Sequence, residues 1–332
     1  MKFEQIIADL QRKIYHPIYL LQGEEGFFLD EISDYIEKHV LEESEKDFNQ
    51  TVLYGAETDV EAILSVAKRF PMMASHNVVI VKEAQNVKKI EELESYVSQP
   101  LETTILVLVY KHKTVDQRKK FGKLISKKAV VFTSKKLYES DAINWAQKYA
   151  QDKQLALPPK ASLLLIESLG TELSKIANEI NKLAVVLKPG AEISLEVIEK
   201  NIGISKDYNV FELTKAMAQK DVQKANRIVQ HFGKNPKLYP LQMLLPGIYM
   251  FFSKVLLFHS VKNEQDRVIM SKLGVPAFIV KEYKLAGKNY PVKKLARIIS
   301  YLRECDNKSK GIGNHNTSSS DLLKEFVFKA MH

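Results

Sequence analysis

The stretch Ile18-Tyr19-Leu20-Leu21-Gln22-Gly23-Glu24-Glu25-Gly26-Phe27-Phe28-Leu29-Asp30 runs from an apolar strand through a glycine turn into a helix. That order is where an α/β nucleotide-binding fold carries its phosphate loop. A working loop needs glycine-rich backbone to expose N–H groups, a lysine for the β and γ phosphates, and a serine or threonine hydroxyl on Mg²⁺. Here the glycines remain, but the lysine and the hydroxyl are missing. Glu24 and Glu25 put negative charge where phosphates require the opposite sign.

Outward from that turn, short apolar runs rich in β-branched residues alternate with helical patterns, the mark of a parallel sheet covered on both faces. Strands are expected at 18–21, 51–54, 78–81, 105–109 and 130–132, with helices at 29–41, 60–70, 87–97 and 115–126 between them. The 60–70 helix opens on Asp59 as its N-cap. After Tyr138 the strand signal stops. A helical run with breaks at Pro158-Pro159, Gly170 and Pro189-Gly190 follows, and within it Leu173, Ile176, Ile180, Leu183 and Leu187 recur at steps of three and four. Beyond residue 206, helices are expected at 210–218, 222–232, 241–259, 292–304 and 322–331. The expected division is therefore an α/β domain with a five-stranded parallel sheet over 1–138, a small helical domain over 139–206 and an all-α domain over 207–332. Asn314 to Ser320 reads as a loop before the last helix.

Several function classes fall away. The run Val78-Val79-Ile80-Val81-Lys82-Glu83-Ala84 is the strand that would end in a metal-orienting Asp, and it carries Lys82 there. Two losses in one nucleotide machinery point to a domain kept for its shape. Eight scattered His, no His-Glu-x-x-His and no Gly-x-Ser-x-Gly leave no other catalytic constellation, and nothing implies a cofactor or metal. Cys305 stands alone, which excludes an internal disulfide and fits a reducing, cytoplasmic setting. Leu241 to Phe258 is apolar enough to suggest a membrane span, but Gln242, Pro246-Gly247 and Lys254 favour a buried helix and no membrane association. In a chain of 332 residues, the net charge of +9 suits nucleic acid or an acidic protein partner without choosing between them.

The sequence resembles the delta subunit family of the bacterial DNA polymerase III clamp loader. The resemblance is carried by Tyr19 to Glu25 with Phe28-Leu29, Phe70-Pro71-Met72-Met73-Ala74-Ser75 before the third strand, and the Leu106 to Tyr110 strand. It continues in Trp145, Leu169-Gly170-Thr171-Glu172-Leu173, Asn178 to Leu183, Asn209-Val210-Phe211-Glu212-Leu213, and Leu302 to Asp306 before Lys310-Gly311. What it implies is an AAA+-like α/β domain without a functional phosphate loop, a helical lid domain and a helical collar that joins a hetero-oligomeric ring. It further implies a subunit that binds and opens the sliding clamp, the beta subunit, without hydrolysing ATP. Gamma or tau and delta-prime subunits would be its partners, with primed DNA held in the complex. The chain would be non-catalytic by itself and part of a DNA polymerase holoenzyme. The resemblance assigns clamp binding to Phe70, Met72 and Met73, with Met72-Met73 where relatives often carry Leu-Phe or Met-Phe. From the residues alone, an inward-packed helix-to-strand turn is the simpler reading of those three positions.

The densest basic run lies between Lys111 and Lys128, with Asp116 its one acid. Lys111, Lys113, Arg118, Lys119 and Lys120 are candidates for contacts to DNA phosphates, although a solvated helix face explains them equally well. No aromatic side chain interleaves with them, so any reading would be of backbone alone. Two rivals stand beside the clamp-loader reading: a divergent phosphate-loop ATPase and a stand-alone nucleic-acid-binding protein. The missing lysine and hydroxyl weigh against the first, and the lack of a helix-turn-helix, zinc or aromatic-platform signal weighs against the second.

Overall fold

The computed structural model describes residues 1–313 and 316–332, and its chain divides into two compact units, Met1–Lys136 and Leu137–His332. Of the expected 314–320 loop, Asn314 and His315 lie outside the described residues.

The first unit is built from α1 (Phe3–Gln11), β1 (Ile18–Gly23), α2 (Gly26–His39), α3 (Glu43–Asn49), β2 (Gln50–Tyr54) and α4 (Val60–Ala67). It continues with β3 (Asn77–Lys82), α5 (Glu94–Ser98), β4 (Thr104–Lys111), α6 (Lys120–Lys128) and β5 (Val130–Ser134). All strands are parallel, in the order β2-β3-β4-β1-β5. Successive residues of a strand face opposite sides, so the sheet makes two cores. Ile18, Leu20, Val79, Val81, Leu106 and Leu108 pack with Ile63 of α4 and with Phe121 and Ile125 of α6. Tyr19, Leu21, Val78, Ile80, Ile105 and Val107 pack with Ile6 and Leu10 of α1 and with Leu29, Ile32 and Ile36 of α2. Burial on both faces is why β3 and β4 read as unbroken apolar runs rather than alternating ones.

Two expected helices change. The 87–97 pattern forms a short 3₁₀ turn over Ile90–Leu93 that leads into α5. Lys89 lies just before it in the left-handed region, where a helix cannot continue. The 115–126 helix begins only at Lys120. Ahead of it the Asp116 carboxylate accepts the Arg118 backbone N–H at 3.0 Å, and Lys119 N–H closes a turn on Asp116 O at 3.2 Å. An aspartate that bonds its own neighbourhood in this way competes with the helix. α1 and α3 were not expected.

The second unit is helical: α7 (Glu139–Asp152), α8 (Pro159–Leu169), α9 (Leu173–Val186), α10 (Leu195–Ile202), α11 (Val210–Gln219) and α12 (Val222–Lys234). There follow α13 (Leu241–Val261), α14 (Asp266–Leu273), α15 (Ala277–Asn289), α16 (Val292–Ser309) and α17 (Ser319–Met331). The expected stripe of α9 is buried at Leu173, Ile176, Ile180 and Leu183, and Leu187 falls just past its end. α14 and α15 occupy a span where no helix was expected. α13 is long and apolar enough to cross a membrane by length and composition. Leu244, Leu245, Ile248, Phe252 and Val255 are nevertheless buried within the unit, and its Lys254 pairs with Glu139 at 2.6 Å. Cys305 is buried in α16, and desolvation pushes its thiol up to about 11, which keeps it unreactive.

Candidate functional site

α4 stops at Ala67 because Pro71 cannot continue a helix and disfavours helical geometry in the residue before it. The carbonyls this leaves are satisfied from inside the unit. Ala67 O accepts the Thr104 hydroxyl at 2.9 Å and the Tyr96 hydroxyl at 3.2 Å. The buried Asn77 amide donates to Val66 O at 2.8 Å. Asn49, only 1% exposed at the end of α3, accepts the Met72 N–H at 2.6 Å and donates to Met72 O at 3.0 Å. With its backbone tied down from beneath, the turn holds its large side chains outward. Phe70 is 74% exposed, Met72 is 62% exposed, and Met73 is fully exposed.

The structure therefore contradicts the inward-packed reading of Phe70, Met72 and Met73. Met73 also sits at φ +55°, the left-handed region, a conformation that costs a side-chain-bearing residue about 1 kcal/mol. The next residues return to the sheet. Ala74 packs on the core around Leu21 and Ile80. The Ser75 hydroxyl lies 2.9 Å from His76 Nδ1, and the His76 ring meets Tyr15 edge-on at 5.2 Å. Partial burial holds His76 below its ordinary pKa, so the imidazole stays neutral near pH 7. Sequence reasoning missed Phe48, an exposed ring one residue before Asn49, and missed Asn49 itself. No local pattern pointed to either, because the Asn49 partner lies 23 residues away in the chain.

The phosphate-loop position is occupied by the chain's own groups. Gly23 ends β1 at φ +128°, its N–H donates to Lys113 O at 3.1 Å, and its carbonyl accepts the His112 N–H at 2.8 Å. Glu25 N–H donates to Ser134 Oγ at 3.1 Å. Its carboxylate accepts Phe27 N–H at 2.9 Å and so caps α2. A helix N-terminus favours negative charge, and here a buried glutamate already supplies it. At the end of β3, Lys82 pairs with Glu37 at 2.9 Å and with Asp34 at 3.7 Å. Desolvation opposes its charge, but the two carboxylates outweigh it and raise its pKa. Among the described residues no group of three or more His, Cys, Asp or Glu could hold a metal ion.

Three of the five candidate DNA contacts pair with carboxylates within the unit. Lys111 pairs with Asp30 at 2.8 Å, Arg118 forms two bonds to Asp116 at 3.0 and 2.9 Å, and Lys120 pairs with Glu94. The Arg118 guanidinium lowers the Asp116 pKa to about 2. Lys113 and Lys119 are exposed on the loop before α6 with no carboxylate at ion-pair distance among the described residues. Of the five candidates, those two are the lysines left available.

Residues 19–135 match the family described as DNA polymerase III, delta subunit, and residues 207–323 match the DNA polymerase III delta subunit, C-terminal domain. Over 313 residues the chain is 26% identical to DNA polymerase III subunit delta of Bacillus subtilis (strain 168), spanning 91% of this chain and 90% of that protein. The solved Bacillus subtilis DNA clamp loader delta protein superposes with a TM-score of 0.60 at 24% identity, covering 99% of both chains. That likeness establishes the shared fold.

Proposed function

Because the chain belongs to the DNA polymerase III delta-subunit family, we propose that it grips the sliding clamp through the 70–73 turn and opens it, using no ATP of its own. The observation that carries this reading is the outward turn itself: three large apolar side chains on a backbone secured from beneath. Burying one such side chain in a partner's pocket contributes about 1.5–3 kcal/mol, and a few anchors of this kind dominate an interface. A ring closed in its ground state opens when a partner binds the opened geometry more tightly, so binding energy alone can perform the work.

The division of labour follows. Residues 1–138 grip the clamp, and 139–206 form a lid. Residues 207–332, beginning where the C-terminal family match begins, join gamma or tau and delta-prime subunits as a collar. Lys113 and Lys119, exposed and without an ion pair among the described residues, would be the side chains that meet phosphates of primed DNA in the assembled loader. We place this work in the cytoplasm, as for a bacterial replication factor.

A carboxylate-capped α2 and a Lys82 held by Asp34 and Glu37 support this reading, because each puts the wrong charge or an already paired group where triphosphate and Mg²⁺ would bind. The isolated chain is therefore expected to show no saturable binding of a fluorescent ATP analogue with Mg²⁺, yet to co-migrate on a sizing column with the sliding clamp of its own organism. Saturable nucleotide binding would favour the divergent-ATPase reading, and failure to co-migrate would remove the gripping role.

A further inference from the structure

We propose that Asn49 is a positioning residue for clamp engagement, holding the 70–73 turn in its binding shape before the clamp arrives. The inference rests on the gripping role proposed above and specifies how the turn is held. Asn49 is the last residue of α3, and its side-chain amide bonds both backbone groups of one residue, the Met72 N–H at 2.6 Å and the Met72 carbonyl at 3.0 Å. Its second N–H direction goes to Glu45 O in its own helix at 2.9 Å, which fixes the plane of the amide. Only a side chain with an acceptor and donors in one plane can make this pattern. At 1% exposure it competes with almost no water, so the bonds persist in the free chain.

The geometry has a direct consequence for the side chains that would meet the clamp. Two bonds to Met72 restrict the backbone on either side of that residue, so the Met72 side chain is left to point outward. The next residue is the fully exposed Met73 in its left-handed conformation. An isolated apolar turn would sample many shapes and would have to be ordered on binding, an expense that reduces affinity. With Asn49 in place that ordering is built into the folded unit. Asn77, Thr104 and Tyr96 hold the preceding end of α4, but among the described residues Asn49 is the side chain bonded to the backbone of Met72.

The test compares wild type, Asn49→Ala and the Met72→Ala/Met73→Ala double variant of the full chain. Surface plasmon resonance measures binding to the organism's own clamp, and residue-resolved amide exchange is followed in the free chain. In the free wild-type chain the Met72 amide should exchange slowly. In Asn49→Ala that protection should be lost at Met72 while β4 amides keep theirs, and clamp affinity should fall about tenfold or more through lost preorganisation. Full affinity in Asn49→Ala, alongside lost binding in the double variant, would overturn the role of Asn49 and leave the gripping role standing. Unchanged binding by the double variant would overturn the gripping role itself. Should Asn49→Ala fail to fold, the wild-type chain decides: a Met72 amide that is unprotected when free and protected only with clamp bound contradicts the proposal.

Discussion

Replacing Met72 and Met73 together by alanine is expected to weaken clamp binding about a hundredfold or more, since two buried apolar anchors contribute roughly 3 kcal/mol between them and each 1.4 kcal/mol is a factor of ten. The same change should barely move the melting temperature. Met73 is fully exposed and Met72 is mostly exposed, so neither leaves a cavity in the unit, and surface substitutions of this kind usually change stability by less than about 0.5 kcal/mol. The contacts that hold the turn go to Met72 backbone atoms and survive truncation of the side chain. Plasmon resonance against immobilised clamp and a calorimetric melt check both halves. A large drop in melting temperature with normal affinity in the folded fraction would place these methionines in the core instead.

The second large effect falls at the other end of the sheet. Gly23→Ala is expected to destabilise the first unit by about 3 kcal/mol or more, in the range of overpacking at a site that cannot give. An added Cβ would lie 2.2 Å from Ser134 O and 2.5 Å from Ser134 Oγ, and φ is +128°. Gly23 is paired in register with Ser134, so β1 and β5 would have to separate. A urea or thermal melt reads this directly, and a transition within 2 °C of wild type would contradict it. The result bears on function because it gives this glycine a structural reason to persist. A phosphate-loop glycine would be kept for close approach of phosphate, whereas Gly23 is kept for close approach of Ser134.

The parallel sheet was legible because burial on both faces leaves an unmistakable apolar run, and each expected strand lies within a residue or two of the observed one. The missing lysine and hydroxyl were equally plain in the sequence. What replaces them was not: the Glu25 carboxylate capping α2 is a product of the turn's geometry. The 87–97 helix failed because its periodic pattern says nothing of the left-handed Lys89. The 115–126 helix failed because Asp116 prefers to bond Arg118. At the turn, Phe70, Met72 and Met73 could be named from the family resemblance, but only the folded chain reveals that they face outward. Asn49 and Phe48 belong to α3, a short helix with no marked periodicity, and the relation of Asn49 to Met72 exists only in three dimensions.

The most direct test of the whole account is ring opening itself, followed by energy transfer between two dyes placed across one subunit interface of the organism's sliding clamp. Adding the full chain without any nucleotide should lower the transfer, and the Met72→Ala/Met73→Ala variant should leave it unchanged. Transfer that stays constant with saturating wild-type chain, or that falls only when ATP is supplied to this chain alone, would contradict a subunit that opens the clamp by grip and not by hydrolysis.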